Sequence, residues 1–72
     1  MIDDYAEAIK ELRKTMVLSQ TEFAEMLGVS FASVNRWENG LHEPTIKVKR
    51  KLKELFIKYG IMEDMRHVTN NK

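Results

Sequence analysis

The chain has 72 residues and a mass of 8.5 kDa, which suffices for one small domain with a single core and excludes two domains. It has no cysteine, which excludes a disulfide framework or a thiolate metal site, and no apolar run approaches the roughly 20 residues of a transmembrane helix. Residues 1–10 are acidic rather than a signal peptide, and the net charge of +1 identifies no partner, so the composition predicts a cytoplasmic globular protein.

Apolar residues recur at intervals of three and four along almost the whole chain. Since no alternating strand pattern of useful length is present, the sequence predicts an all-α fold. The first helix is predicted from about Asp4 to Thr15. Ser19 and Glu22 then have the spacing of a capping box, in which each side chain accepts from the other residue's backbone amide. This pair predicts the start of a second helix, and Gly28 predicts its end.

A third helix is predicted to follow the N-cap residue Ser30 and to carry Val34 and Trp37 on its buried side. Asn39 and Gly40 tolerate a left-handed backbone conformation and should end this helix. Because Trp37 shares a helical face with Val34, we expect the indole ring in the core rather than in a ligand-binding site.

A fourth helix is predicted from Pro44-Thr45 to Gly60. Its apolar stripe consists of Val48, Leu52, Leu55, Phe56 and Tyr59. Residues 42–60 carry a net charge of +4, whereas residues 1–12 carry −3. Such an asymmetry is expected of a polyanion-binding surface and also of a solvated lysine-rich helix, so both interpretations stay open at this point.

The chain is predicted to divide into one domain, residues 1–60, and a C-terminal tail, residues 61–72. Several apolar residues of the tail could form a short fifth helix before its last residues fray: Ile61, Met62, Met65 and Val68. The first three of these residues could instead cover a dimer interface, or fold back under the first helix.

The most specific pattern lies in residues 20–39. Counted from Gln20, an alanine is fifth (Ala24), a glycine is ninth (Gly28), and apolar residues occupy five further positions: Phe23, Leu27, Val29, Val34 and Trp37. A small residue is needed where two helices joined by a short turn approach each other, and glycine allows a positive φ in that turn. The apolar residues would hold both helices on the core and leave the opposite face of the later helix free. Together these positions are typical of a helix-turn-helix.

Over about residues 5–58 the chain resembles the phage repressor and Cro-like helix-turn-helix family, often called the Xre family. The matching motifs, in the family's order and spacing, are Leu12-Arg13, Leu18-Ser19-Gln20, Phe23-Ala24, Leu27-Gly28-Val29-Ser30, Val34, Trp37-Glu38, Asn39-Gly40 and Pro44-Thr45. The resemblance implies a compact bundle of four or five helices, of lambda-repressor-like type. It also implies binding to duplex DNA, usually as a two-fold dimer, and commonly repression of transcription.

The third helix carries four candidate base-reading residues on the outer face opposite Val34 and Trp37 or, for Phe31, on its flank: Phe31, Ala32, Asn35 and Arg36. Asparagine can pair with adenine, arginine with guanine, and apolar side chains can touch a thymine methyl group. The helix of residues 31–38 is therefore predicted to enter the major groove, with Arg36 reaching either a base or a phosphate. The alternatives are a solvated helix face and, for Phe31, packing over the end of the second helix.

Five residues around that face are candidate phosphate ligands: Gln20, Ser33, Asn39, Thr45 and Lys47. Gln20 opens the second helix, whose positive end favours an anion, and the family that the chain resembles uses a glutamine at the matching position. Relatives often carry basic residues before the proline, whereas residues 41–43 here include no lysine or arginine. Thr45 and Lys47 are predicted to supply contacts in their place, while the basic residues of 49–53 could equally be solvated.

The resemblance further implies a structural ion pair between Arg13 of the first helix and Glu38 of the third. No side-chain cluster in the sequence indicates a metal site or catalysis, because His42 and His67 are isolated and the acidic residues form no triad. We therefore expect no enzyme activity, cofactor or metal.

These observations predict a sequence-specific duplex-DNA-binding transcriptional regulator, specifically a repressor. A homodimer and a protein effector are the further partners considered, and no membrane association is expected. One alternative is a protein-interaction module. Another is an antitoxin or the targeting domain of a longer protein, although Met1 and the polar end at Lys72 fit a complete small gene product. In both alternatives DNA binding would be weak.

Overall fold

The computed structural model describes residues 4–61, which form four α-helices and no strand. The helices are α1 (Asp4–Thr15), α2 (Gln20–Leu27), α3 (Phe31–Glu38) and α4 (Ile46–Lys58). The predicted all-α fold with a central helix-turn-helix is thus confirmed, whereas the suggested fifth helix lies almost wholly outside the described residues. Of the helices described, none has the length and apolar character needed to cross a membrane.

Side chains cap the starts of α2, α3 and α4. Ser19 Oγ accepts from the Glu22 amide at 3.0 Å, and Glu22 Oε1 accepts from the Ser19 amide at 2.9 Å, which confirms the predicted capping box. Ser30 Oγ accepts from the Ser33 amide at 3.1 Å, and the Thr45 hydroxyl accepts from an amide in the first turn of α4 at 3.4 Å. These bonds satisfy amides that have no partner within their own helix.

All four helices end in one local pattern, in which two amides past the helix donate to carbonyls three and five residues earlier. At the end of α2 the Gly28 amide donates to Glu25 at 3.2 Å, and the Val29 amide donates to Ala24 at 3.0 Å. Gly28 has φ +76°, a left-handed conformation that glycine adopts at little cost. The equivalent residue is Val17 after α1, Gly40 after α3 and Gly60 after α4.

Val17 therefore occupies a position where a glycine would be expected. Its φ is +59°, although a β-branched residue is strained in the left-handed region. Its side chain is 85% exposed and gains almost nothing from packing. The amide bonds from Val17 to Lys14 and from Leu18 to Arg13, at 3.0 and 3.1 Å, keep the turn in place in spite of that strain.

The core contains the apolar faces that the helical spacing predicts. Its buried residues are Ala8, Ile9, Leu12, Phe23, Ala24, Leu27, Val34, Trp37, Val48, Leu52 and Phe56. Helix α3 packs against α1 and α2, and α4 packs against α1. The burial of Trp37 confirms its predicted place in the core. The small side chain of Ala24 is buried in α2, the helix that packs against α3.

Two residues near the end of α4 differ from expectation or decide between alternatives. Tyr59 was predicted to belong to the apolar stripe, but it is 37% exposed because α4 ends one residue earlier and Tyr59 is its C-cap. Ile61 packs against the core and is only partly exposed, which favours the fold-back interpretation for this residue over a dimer interface. Met62 and Met65, the other two candidates for that interface, lie outside the described residues.

A charged pair joins α1 to α3 at the edge of the core. Arg13 Nε donates to Glu38 Oε2 at 2.7 Å, and Nη2 donates to Oε1 at 3.0 Å, which gives a two-pronged contact. The third guanidinium nitrogen donates to the Leu18 carbonyl at 3.0 Å. The Arg13 and Glu38 side chains are only 17% and 4% exposed, so little water screens their attraction.

The surroundings of this pair keep both groups charged. Burial acts to raise the pKa of the Glu38 carboxyl, but hydrogen bonds from Arg13 and Gln20, with the guanidinium charge, outweigh it and hold the pKa below its ordinary value. The hydrogen bond to Glu38 in turn raises the pKa of Arg13. Glu38 thus contributes stability above its ordinary pKa, and this contribution is lost as the pH falls through the lowered value.

Replacing Glu38→Ala should lower the free energy of unfolding by about 3 to 5 kcal/mol, because Arg13 would keep a poorly compensated charge. Urea denaturation followed by circular dichroism measures the change. The exposed Glu54 of α4 supplies the control, since Glu54→Ala should change the free energy of unfolding by no more than about 0.5 kcal/mol. Equal stability of the two variants would show that the ion pair adds nothing to the fold.

Replacing Val17→Gly should raise the free energy of unfolding by about 0.5 to 1 kcal/mol, because glycine removes the left-handed strain but adds flexibility to the unfolded chain. The reciprocal variant Gly28→Ala should lower the free energy of unfolding by about 1 kcal/mol. No atom lies within 4 Å of a Cβ added at Gly28, so this second change tests backbone conformation alone. A Val17→Gly variant that is less stable than the unaltered protein would show that the left-handed conformation of Val17 costs no free energy.

Candidate nucleic-acid interface

Helix α3 has two chemically different sides. Val34, Trp37 and Glu38 are buried against the other helices, while Ala32 and Arg36 are exposed. The helix begins directly after the turn at Gly28, so the turn and the buried side together fix which residues face solvent. The base-reading candidates were predicted to lie on or beside this exposed side.

Two more base-reading candidates lie on or beside this exposed side. Phe31 is 50% exposed, so packing over the end of α2 does not account for the whole side chain. Asn35 is half-buried, and its Oδ1 accepts from Asn39 Nδ2 at 3.5 Å. Because this hydrogen bond is long, Asn39 orients the Asn35 amide only weakly and leaves it able to pair elsewhere.

A cleft of about 220 Å³ lies between α3 and the start of α4. Its walls include Ser33 and Arg36 from α3 and Thr45 from the cap of α4, so the structure brings together one base-reading candidate and two phosphate candidates. His42 and Glu43 of the connecting loop complete the rim. The Thr45 hydroxyl and the guanidinium group can donate to an anion in this cleft, and the Ser33 hydroxyl can do so when Ser30 Oγ is the donor in the 3.1 Å bond between the two serines.

Lysines of the first turns of α4 have different surroundings. Lys47 is exposed. Lys49 Nζ instead donates to Glu43 Oε1 at 2.8 Å and lies 5.0 Å from the centre of the Tyr5 ring. The hydrogen bond to Glu43 raises the pKa of Lys49. Lys49 therefore ties the α3–α4 loop to α1 and α4, and compensates the acidic charge that Glu43 brings to the cleft.

Gln20 has a partner that the sequence did not reveal. Its side-chain Nε2 donates to Glu38 Oε1 at 2.9 Å, so the first residue of α2 is joined to the last residue of α3. Helical spacing carries no signal for a contact between side chains 18 residues apart on different helices. The place of His42 in the lining of the cleft was also missed, because it depends on the path of the loop.

Comparisons with known proteins agree with this architecture. A family model described as helix-turn-helix matches residues 9–56. The chain is also similar to a protein of Pyrococcus furiosus whose name describes it as an HTH-type transcriptional regulatory protein. The two are 48% identical over 50 residues, which cover 69% of this chain and only 16% of that relative.

No solved structure gives a significant match to the chain. The helix-turn-helix match nevertheless covers most of the described residues, including α2, α3 and the turn between them. The helix bounds, the caps and the buried faces found here are those expected of that motif. The chain therefore belongs to the Xre-like helix-turn-helix family.

Proposed function

We propose that this chain is a sequence-specific duplex-DNA-binding transcriptional regulator, specifically a repressor, which inserts α3 into the major groove. The observation that carries this proposal is the two-sided character of α3, whose inner side is buried and whose outer side presents amide, guanidinium and apolar groups. The family and the name of the Pyrococcus relative support a regulatory role. The chain matches only 16% of that relative's length, so the relative's role is extended to this chain as part of the proposal.

In this proposal, sequence is read by the outer side of α3. Asn35 pairs with adenine, and Arg36 pairs with guanine or contacts a phosphate from the wall of the cleft. Ala32 and the exposed half of Phe31 contact thymine methyl groups. Apolar contacts of this kind distinguish thymine from the other bases because only thymine carries a methyl group in the major groove.

Phosphate contacts come from the groups that flank this side. Ser33 and Thr45 donate hydroxyl hydrogen bonds from the cleft, and Lys47 adds a positive charge from the exposed first turn of α4. Gln20 and Asn39 donate side-chain amide hydrogen bonds from the start of α2 and the end of α3. Such contacts fix the position of the protein on the duplex and carry no sequence information.

We further propose that residues 1–60 form the binding domain and that two chains bind as a two-fold dimer, with recognition helices about 34 Å apart to match successive major grooves. In this proposal the protein acts in the cytoplasm by binding alone, without catalysis or a cofactor.

The first test is selection of purified, folded protein against a random pool of duplex DNA, followed by sequencing of the retained duplexes. Two inverted half-sites about 10 base pairs apart would support a dimeric regulator and supply its operator. A single short motif would support base reading by a monomeric targeting module. No enrichment would overturn the DNA-binding proposal and favour a protein-interaction module.

On the selected operator, Asn35→Ala and Arg36→Ala should each weaken binding by about 1 to 3 kcal/mol and relax the preference at one base position. A fluorescence titration against the operator and its single-base variants measures both effects. The control is Lys58→Ala at the far end of α4, which removes an exposed cation and should change neither affinity nor preference. Unchanged base preference in both α3 variants would exclude base reading by this helix face.

Binding should weaken steeply as salt concentration rises, because phosphate contacts release counterions. With roughly five phosphates neutralised per half-site, the logarithm of affinity should fall with a slope near −4 or −5 against the logarithm of salt concentration. Lys47→Ala should make this slope less steep by about 1 and weaken all sequences alike. A flat salt response in the unaltered protein would argue against duplex DNA as the ligand.

A further inference from the structure

The carboxylate of Glu38 has a third bond besides the two from Arg13. Its Oε1 accepts both from Arg13 Nη2 at 3.0 Å and from Gln20 Nε2 at 2.9 Å. Arg13 belongs to α1, Gln20 to α2 and Glu38 to α3, so one buried carboxylate joins the three helices. The ion pair explains the contact between α1 and α3, but it does not explain why the amide of Gln20 is included.

The contact fixes the orientation of the Gln20 amide. A carboxylate only accepts hydrogen bonds, so the NH₂ end of the amide, and not its oxygen, must face Glu38. One N–H is used by this bond and the second remains able to donate. A glutamine side chain without a partner in the protein loses rotamer entropy when it binds a ligand, whereas Gln20 loses that entropy when the protein folds.

Charge compensation allows an anion to approach this amide. Glu38 alone would repel a phosphate, but its charge is matched by the guanidinium group of Arg13 in a two-pronged contact. Gln20 is half-buried and opens α2, directly after the Ser19 cap, where first-turn amides face outward. The second N–H of Gln20 therefore lies at the positive end of a helix, beside an ion pair that has no net charge.

We propose that Glu38 is a positioning residue for DNA binding, which holds the Gln20 amide so that its second N–H donates to a backbone phosphate. The inference rests on the proposed function and deepens it. It gives the ion pair a role in the interface, since Arg13 keeps Glu38 charged and Glu38 orients Gln20. DNA binding then depends on a buried residue that touches no nucleotide.

The test uses Glu38→Gln, Gln20→Met and the double variant on the selected operator. Each single change should weaken binding by the folded protein about three- to tenfold, the effect of one lost hydrogen bond. The double variant should bind no more weakly than the weaker single variant, because both changes act on the same contact: a glutamine at position 38 offers a donor as well as an acceptor and no longer fixes which end of the Gln20 amide faces it. Glu54→Gln, which makes the same change of charge on the exposed side of α4, should bind as the unaltered protein does.

A second readout identifies the phosphate itself. Neutral methylphosphonate groups are placed at one backbone position of the operator at a time. One position that weakens binding by the unaltered protein should have no effect on binding by Gln20→Met or by Glu38→Gln. Urea denaturation of each variant gives the folded fraction, so that lost stability is not counted as lost affinity.

Three results would overturn the inference. Glu38→Gln could lower stability while affinity and the methylphosphonate pattern stay the same, which would make Glu38 structural only. Its effect on affinity could also be equally large when Gln20 is already methionine, which would show that it acts elsewhere. Gln20→Met could bind normally. If the unaltered protein binds no duplex at all, the proposed function itself fails. This outcome differs from the three results above, in which the unaltered protein binds DNA but Glu38 does not position Gln20.

The unaltered chain provides a measurement that does not depend on a variant folding. In nuclear magnetic resonance spectra the two side-chain N–H protons of Gln20 give separate signals. Addition of operator should shift the signal of the proton that faces away from Glu38 and leave the other nearly in place. Two signals that shift together, or that average through rotation of the amide, would contradict a fixed orientation.

Discussion

The buried contact between Arg13 and Glu38 is the interaction on which the rest of this structure depends. A domain of this size buries only about 60% of the surface that its unfolded chain exposes, so its small apolar core leaves little excess stability. Apolar contacts are non-directional, whereas a two-pronged guanidinium–carboxylate contact is met at few relative positions of two helices. The pair therefore fixes how α3 lies on α1, and α3 is the helix that carries the proposed base-reading side.

The same helix serves the core and the surface within eight residues. The buried residues Trp37 and Glu38 hold the end of α3 on the core. Arg36, which directly precedes them in the sequence, lies on the wall of the cleft. A small tilt of α3 would consequently move every outward-facing group at once. The bond from Lys49 to Glu43 restrains the loop between α3 and α4, so the rim of the cleft that this loop forms is also held by a charged contact.

The sequence was sufficient for features that depend on neighbours a few residues apart. The capping box at Ser19, the end of α2 at Gly28 and the burial of Trp37 follow from spacing and backbone preference, and each agrees with the structure. The predicted place of Tyr59 in the apolar stripe was wrong, because α4 ends one residue before Tyr59 and helical spacing does not show the exact residue at which a helix ends. The contact of Gln20 with Glu38 and the cleft beside Arg36 could not be predicted without the relative position of the helices.

The local endings of the helices have a consequence for how the chain folds. Each helix is terminated by bonds that span only three and five residues, so its end can form before any helix finds its neighbour. The search that remains is the docking of short, already delimited segments, and bundles with such local contacts typically fold in microseconds to milliseconds. The link between residues 13 and 38, which spans 25 positions, has to close a much longer loop and forms only when α1 and α3 dock. Polar contacts of short range thus delimit the helices, and a polar contact of long range joins two of them once they have docked.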